Sequence, residues 1–187
     1  EIFRINNVQW VGAGGIGFDV QVAPPSANQP NNLLANPSFE LGTNATPAAW
    51  QPDAFNPSAV FKWETQTRKE GNRSVSISAA TPNDARWIQS VSGLNTGQTY
   101  QLCGWARGEN IVTTPDAVIG ASVSVMGGFV HSDSLSGTFD WKQACVIFRP
   151  EQSDTTLACR LGFYGSTVTG KAWCDNLSLI PVKSAFE

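Results

Sequence analysis

The sequence predicts an all-β protein, a two-sheet antiparallel β-sandwich of the jelly-roll type with a small N-terminal β-hairpin. Three observations lead to this prediction. The composition favours turns and strands over helices, since the 187 residues include 17 Gly and 11 Pro but a single Met. Segments in which apolar and polar residues alternate recur along the chain, separated by turn residues. A hydrophobic content of 41% in a chain of this length suits one domain with a substantial core.

The first predicted element is the hairpin. Two short alternating runs, residues 2–10 and 16–22, are separated by a glycine-rich turn at residues 12–15. Residues 23–32 then have the Pro, Asn and Ser content of a linker. We therefore expect an N-terminal hairpin and linker at residues 1–30 and a main domain at residues 31–187.

The main domain contains eight segments with the period-two pattern of strands. They are residues 59–64, 74–78, 87–91, 100–107, 118–126, 143–148, 156–163 and 172–180. Successive side chains of a strand point to opposite faces, so Leu102 and Trp105 face opposite ways. One face of each sheet is buried between the sheets, and a large aromatic on the outer face must therefore be covered by a loop, a partner or a ligand.

The four cysteines all lie in predicted strands and lack the C-x-x-C spacing of a zinc site or a redox dithiol. Two disulfides or four buried thiols remain, and four cysteines allow three connectivities. Cys159 and Cys174 flank the turn at residues 165–168 and could face each other across one hairpin or between two sheets. This favours the pairs Cys159–Cys174 and Cys103–Cys145. Disulfides would indicate an oxidising compartment and hence an extracellular protein.

Charge and hydropathy exclude two kinds of partner. The 12 Lys and Arg residues are outnumbered by 15 Asp and Glu residues, and the longest basic run is Arg68-Lys69. We expect no nucleic-acid partner, because neutralising phosphates requires clustered cations. We also expect no membrane partner, since no segment approaches the ~18 consecutive apolar residues of a membrane span.

Several segments of the main domain, taken in chain order, resemble one known family. They are residues 32–40 (NLLANPSFE) with Gly42 and Trp50, residues 70–75 (EGNRSV), residues 99–107 (TYQLCGWAR), Asp140-Trp141, and residues 172–179 (AWCDNLSL). The chain thereby resembles carbohydrate-binding modules of families 4, 9 and 22 over roughly residues 32–182. The resemblance implies a galactose-binding-like β-jelly-roll that binds a polysaccharide without cleaving it, usually beside an attached glycoside hydrolase.

The resemblance also implies a structural calcium ion. The matching positions would supply the side chains of Glu40, Glu70 and Asp175 and the backbone carbonyls of Ser38 and Arg73. Such a set suits a cation that takes six to eight oxygen ligands at about 2.3–2.6 Å. Without the resemblance, the three acids would be unremarkable surface carboxylates. Asn176 stands where the family often has a second acid.

The resemblance further places the ligand along one concave sheet. The matching residues are Arg86, Trp87, Gln89, Phe129 and Arg160. A sugar ring has an apolar C–H face on which an aromatic ring can stack, and a rim of hydroxyls for planar polar side chains. Trp87 and Gln89 share a strand face, which agrees with this role. In the alternative interpretation a loop covers Trp87 and Gln89 bonds to a neighbouring strand.

No pattern in the sequence predicts catalysis. His131 has serines and an aspartate next to it, but a catalytic triad needs side chains that converge from separate elements. Glycoside hydrolysis needs two carboxylates about 5–9.5 Å apart, and no motif selects a pair among Asp84, Glu64 and Glu109. A polysaccharide lyase would need a basic and acid–base cluster that one histidine and few lysines make hard to assemble.

We therefore expect an extracellular, secreted or surface-bound, non-enzymatic module that binds a polysaccharide such as a β-glucan or a xylan. The alternative is a structural or adhesion component of a virion, such as a phage tail or capsid protein. Such a protein would use the same jelly-roll to assemble with copies of itself or to attach to a host-surface glycan.

Overall fold

The computed structural model describes residues 8–11, 15–18, 27–114, 119–165 and 167–183. Within these ranges the chain forms β-strands and no α-helix, so none of the described segments is a helix that could cross a membrane. The strands are β1 (Val8–Val11), β2 (Gly15–Phe18), β3 (Gly42–Thr43), β4 (Thr46–Pro47), β5 (Gln51–Ala54), β6 (Val60–Glu64), β7 (Ser74–Asn83), β8 (Ala85–Val91), β9 (Thr99–Thr113), β10 (Ala121–Val125), β11 (Gly137–Phe148), β12 (Thr155–Leu161) and β13 (Val168–Val182).

Two antiparallel sheets form the sandwich. The four-stranded sheet has the order β10-β12-β8-β5, and the five-stranded sheet has the order β11-β9-β13-β7-β6. From β8 to β13 each strand lies in the sheet opposite to that of its predecessor, which is the connectivity of a jelly-roll. The predicted all-β sandwich is confirmed. Two-stranded ribbons are also formed by β1 with β2 and by β3 with β4.

Each of the eight predicted segments of the main domain overlaps a strand, although residue 118 lies outside the described residues. Sequence analysis missed β5, where Pro52 interrupts any alternation. Because β5 is an edge strand, a residue without an N–H is tolerated there. In the N-terminal hairpin, Val8 pairs with Phe18 and Val11 with Gly15. The rest of the predicted hairpin, at residues 1–7, 12–14 and 19–22, lies outside the described residues, as does the linker segment 23–26.

The core lies between the two sheets and follows the period of two along each strand. In β8 the inward residues Ala85, Trp87 and Val91 are buried, whereas outward Ser90 is exposed. Residues that point inward from the other strands are also fully buried, among them Ile77, Leu102, Leu157, Leu161, Leu177 and Leu179. Arg86 therefore lies on the outer face of the four-stranded sheet, together with its cross-strand neighbours Asp53 and Arg160.

Both predicted disulfides are present, and no cysteine is free. Cys159 of β12 and Cys174 of β13 join the two sheets, with Cα atoms 6.6 Å apart. Cys103 and Cys145 are direct cross-strand neighbours in β9 and β11, with Cα atoms 4.1 Å apart. Of the two arrangements left open for Cys159 and Cys174, the structure has the one between sheets. Two disulfides agree with an oxidising, extracellular environment.

Candidate functional site

Trp87 lies in the core and not on a ligand-binding face. It is 3% exposed, and its Nε1 donates a hydrogen bond of 3.2 Å to the carbonyl of Ser76 in the opposite sheet. Its ring meets the ring of Phe61 edge-on, with centroids 5.4 Å apart. The prediction that Trp87 stacks on a sugar is therefore wrong, because its indole fills the space between the sheets.

Gln89 points to the same inner face and is 5% exposed. Its Oε1 accepts a hydrogen bond of 2.8 Å from the backbone N–H of Ala35. Its Nε2 donates to the carbonyls of Ala35, at 2.8 Å, and Ala49, at 3.3 Å. Gln89 therefore holds the segment that leads into the first strands, and its predicted contact with a ligand is wrong.

Arg160 points to the outer face of the four-stranded sheet but is 0% exposed. Its Nε donates to the carbonyl of Gly162 at 2.8 Å, and its guanidinium forms an ion pair with Asp84. Phe163 and Tyr164 cover it, with ring centroids 4.3 Å and 5.3 Å from the guanidinium carbon. Burial lowers the pKa of Arg160, and the charge of Asp84 opposes this effect. A ligand cannot reach this side chain, so its predicted role is also wrong.

Arg86 is the predicted contact that does line a depression. Its side chain is 13% exposed and forms ion pairs with Asp53 of β5 and with Asp84. The depression has a volume of about 320 Å³ and is lined by Phe55, Asp84, Arg86, Tyr164, Gly165 and Thr167. The backbone N–H of Phe55 donates to the carbonyl of Asp84 at 2.9 Å, which fixes Phe55 at the rim.

Three exposed aromatic rings lie beside this depression. Phe55 is 79% exposed, Tyr164 is 44% exposed and Phe129 is 82% exposed. The ring centroids of Phe129 and Tyr164 are 6.1 Å apart, and Phe55 and Tyr164 both line the depression. The Tyr164 hydroxyl accepts a hydrogen bond of 3.0 Å from the N–H of Gly127, which ties the two loops together. We call Phe55, Tyr164 and Phe129 the aromatic ridge.

Sequence analysis identified Phe129 and Arg86 but missed Phe55 and Tyr164. Both missed residues follow strands in turns, where no alternation exists to assign a face. The Phe163-Tyr164-Gly165 sequence was an available signal, since aromatics at a turn are either covered by neighbours or exposed for a partner. In the structure the two aromatics differ: Phe163 is 3% exposed and covers Arg160, whereas Tyr164 is exposed.

A larger depression of about 390 Å³ lies between residues 125–130 and 148–156. Its lining includes one aromatic residue, Phe148, which is only 6% exposed. The smaller depression is the better candidate site, because exposed rings and charged groups meet there.

Three of the residues considered for catalysis already have partners. Asp84 bridges two arginines, and Glu64 on the five-stranded sheet bonds to Ser76 at 2.8 Å and to Lys171 at 3.0 Å. The His131 ring lies 4.9 Å from that of Phe163, with Nδ1 2.7 Å from the carbonyl oxygen of Ser132.

The predicted calcium ligands lie around the loop at residues 69–73. Glu40 Oε1 accepts hydrogen bonds from the N–H groups of Asn72, at 2.9 Å, and Arg73, at 3.0 Å. Asp175 accepts from the N–H groups of Lys69 and Glu70, at 2.8 and 3.1 Å, and from its own neighbour Asn176.

Burial, together with the negative charge of Glu40, raises the pKa of Asp175 to about 6. The Glu70 side chain is exposed, and the described residues contain no group of three or more His, Cys, Asp or Glu that could hold a metal. Two of the three acids thus approach one loop, but backbone amides bond to both Asp175 oxygens and to Glu40 Oε1, and calcium stays a prediction.

Comparisons with known proteins identify the fold. No family model and no curated protein matches the sequence. The module TmCBM61, solved with β-1,4-galactotriose, matches with a TM-score of 0.54 at 18% identity, over 81% of this chain and 99% of that chain. A xylan-binding domain of carbohydrate-binding family 22 matches with a TM-score of 0.54 at 14% identity, over 84% of this chain and 99% of that chain.

A third match is the enzymatically active domain of tailspike protein 4 from bacteriophage CBA120, with a TM-score of 0.55 at 14% identity. It covers 81% of this chain but only 22% of the tailspike chain. The chain therefore shares its β-jelly-roll fold with solved structures that include carbohydrate-binding modules.

Proposed function

We propose that the protein is a non-catalytic module that binds a polysaccharide at the depression beside Arg86 and along the aromatic ridge. One observation carries the proposal: Phe55 and Tyr164 stand exposed at the rim of a depression whose floor is the Arg86–Asp84 ion pair. Uncovered aromatic side chains indicate a site of interaction. Rings that can cover sugar C–H faces beside groups that can bond hydroxyls have the chemistry that carbohydrate requires.

Two further observations support this proposal. The neighbours of the same fold include one solved with a galactotriose and one named as xylan-binding, so a galactan or a xylan is the first ligand to test. The two disulfides suit an extracellular module that targets an attached protein to such a glycan. Binding without cleavage agrees with Asp84, the acid that lines the depression, being held by two guanidinium groups.

Affinity gel electrophoresis in galactan, xylan and β-glucan gels tests the proposal. Removing one ring by Tyr164→Ala or Phe129→Ala should weaken binding about two- to thirteenfold, taking about 0.5–1.5 kcal/mol for an aromatic contact as a guide. The matched control is Ile147→Ala, which removes a side chain that is 60% exposed on the opposite sheet. If the ridge variants migrate like the wild type in a gel that retards the protein, this site is not the one used.

A second candidate function is that of a structural or adhesion component of a virion. The match to a bacteriophage tailspike domain supports it. An assembly component would self-associate, whereas an isolated module would be monomeric. Light scattering of the purified chain separates the two, and a monomer that binds glycan would leave the first proposal standing alone.

We also propose that calcium binds between Glu40 and Asp175 as a structural ion. Both acids accept hydrogen bonds from the loop at residues 69–73, which supports this, since a cation between them would offset their mutual repulsion. Binding to the folded state alone would raise the melting temperature as calcium is added and lower it when a chelator removes the ion. A melting temperature that is the same with calcium and with chelator would exclude the ion.

A further inference from the structure

Two charged side chains, Asp84 and Arg86, line the depression, and they belong to a row of four. In the register of the four-stranded sheet, Asp53 lies opposite Arg86, and Arg86 lies opposite Arg160. Asp84 lies beside them, with one carboxylate oxygen bonded to Arg160 and the other 2.9 Å from Arg86 Nη1. Two guanidinium groups thus face two carboxylates, and the row of four has no net charge.

Asp53 occupies the edge of Arg86 that would otherwise bind an anion. Arg86 Nε and Arg86 Nη2 both contact Asp53 Oδ2, while Nη1 contacts Asp84. The Nε–Nη2 edge of a guanidinium is one that binds carboxylates with two parallel hydrogen bonds. The Asp53 side chain is 39% exposed on the edge strand β5, so it meets any ligand that approaches Arg86 from solvent.

We propose that this arrangement makes the depression selective for an uncharged glycan and that Asp53 is the residue that determines the selectivity. The proposal rests on the proposed glycan binding. A sugar hydroxyl can donate to a carboxylate and accept from a guanidinium, so a neutral sugar bonds to the floor as it stands. A uronic acid would bring a third carboxylate beside Asp53 and Asp84 and would find the Arg86 edge already taken.

The Asp53→Asn variant tests this directly. It keeps nearly the same side-chain shape, removes one negative charge and releases the Arg86 edge from its ion pair. Wild type should be retarded by galactan or xylan and not by polygalacturonate. Asp53→Asn should gain affinity for polygalacturonate by at least tenfold at low salt, and the gain should shrink as salt rises.

Two variants serve as controls. Asp140→Asn makes the same change in total charge at a side chain that is 89% exposed on the five-stranded sheet, and it should produce no gain. The double variant Asp53→Asn with Arg86→Gln should lose the gain, because the anion would then have no guanidinium edge to bind. Should Asp53→Asn fail to fold, Asp53→Ser at this exposed edge position gives the same comparison.

The outcomes distinguish a failure of the proposed selectivity from a failure of the proposed glycan binding. If polygalacturonate retards wild type as strongly as a neutral glycan does, the selectivity is wrong while glycan binding stands. If folded Asp53→Asn gains no affinity for polygalacturonate, or if Asp140→Asn gains as much, Asp53 does not determine the selectivity. If no glycan retards the wild type at all, the proposed function fails together with this inference.

Discussion

Replacing Asp84 by alanine should destabilise the fold much more than replacing Asp84 and Arg160 together. Asp84 is 4% exposed, and its two carboxylate oxygens bind the guanidinium groups of Arg86 and Arg160. Arg160 is 0% exposed, and its other polar contacts include the neutral acceptors Gly162 and Ser124. Without Asp84, Arg160 would remain a buried charge with no counter-charge among its described contacts.

The expected loss of stability in Asp84→Ala follows from the burial of Arg160. Removing one partner of a buried ion pair costs about 3–5 kcal/mol, because the other charge stays desolvated. For a chain of this length, 1 kcal/mol corresponds to about 2–4 °C in melting temperature, so Asp84→Ala should lower it by roughly 6–20 °C. Asp84→Ala with Arg160→Met removes both charges and leaves a side chain that can pack against Phe163. Its cost should be no more than about half that of Asp84→Ala.

Guanidinium unfolding followed by the fluorescence of the seven tryptophans measures both variants. Asp53→Ala is the control, since this partly exposed member of the row should cost no more than about 1 kcal/mol. The reasoning is refuted if Asp84→Ala also costs about 1 kcal/mol or less, or if the double variant is as unstable as the two single losses added together.

Three other predictions follow from the packing. Cys159→Ser with Cys174→Ser removes a disulfide between residues separated by 15 positions and should cost about 3 kcal/mol in calorimetry, and a loss below about 1 kcal/mol would contradict the loop-closure argument. Trp87→Ala should cost about 3–5 kcal/mol while the folded fraction binds glycan as the wild type does, and a selective loss of binding would return Trp87 to the site. Burial raises the pKa of Glu64, but hydrogen bonds from Ser76 and Lys171 outweigh it and hold the pKa below 4.5. Glu64 therefore stabilises the fold above that pH, and the stability difference between wild type and Glu64→Gln should shrink as the pH falls from 6 to 3, whereas a constant difference would show that the ion pair contributes nothing.

The sandwich was predictable because alternation is a local property. A strand with one buried face shows it in its own sequence, and all eight segments of the main domain that do so overlap strands. Three strands of the main domain were not predicted: β3 and β4 have only two residues each, and β5 has its pattern broken by Pro52. The pairing of Cys159 with Cys174 between sheets was one of two open arrangements, since the choice depends on which sheet each strand joins.

Alternation could not show which face of β8 is the inner one. It correctly placed Trp87 and Gln89 on one side, but a tryptophan beside a glutamine is as typical of a sugar-binding face as of a core. The inner face accepts Gln89 only because backbone groups of Ala35 and Ala49, 54 and 40 positions away, satisfy its amide. No residue near Gln89 in the sequence indicates that these backbone groups are its partners.

The aromatic ridge packs on the buried Asp84–Arg160 ion pair. This dependence on distant residues explains why the site was harder to predict than the fold. Asp84 holds Arg160, Arg160 packs beneath the ring of Tyr164, and Asp84 also holds Arg86 in the floor of the depression. These residues come from β8, β12 and the turns beside them. The two strands are neighbours in the sheet, but Asp84 and Arg160 are 76 positions apart in the chain. Because the exposed ring depends on the buried pair, Asp84→Ala should impair both stability and glycan binding, whereas Tyr164→Ala should impair binding at a much smaller cost in stability. The two variants must differ in this way if the aromatic ridge is held in place by the buried Asp84–Arg160 ion pair. If the ridge consisted of independent surface aromatics, Asp84→Ala would not weaken glycan binding by the folded protein.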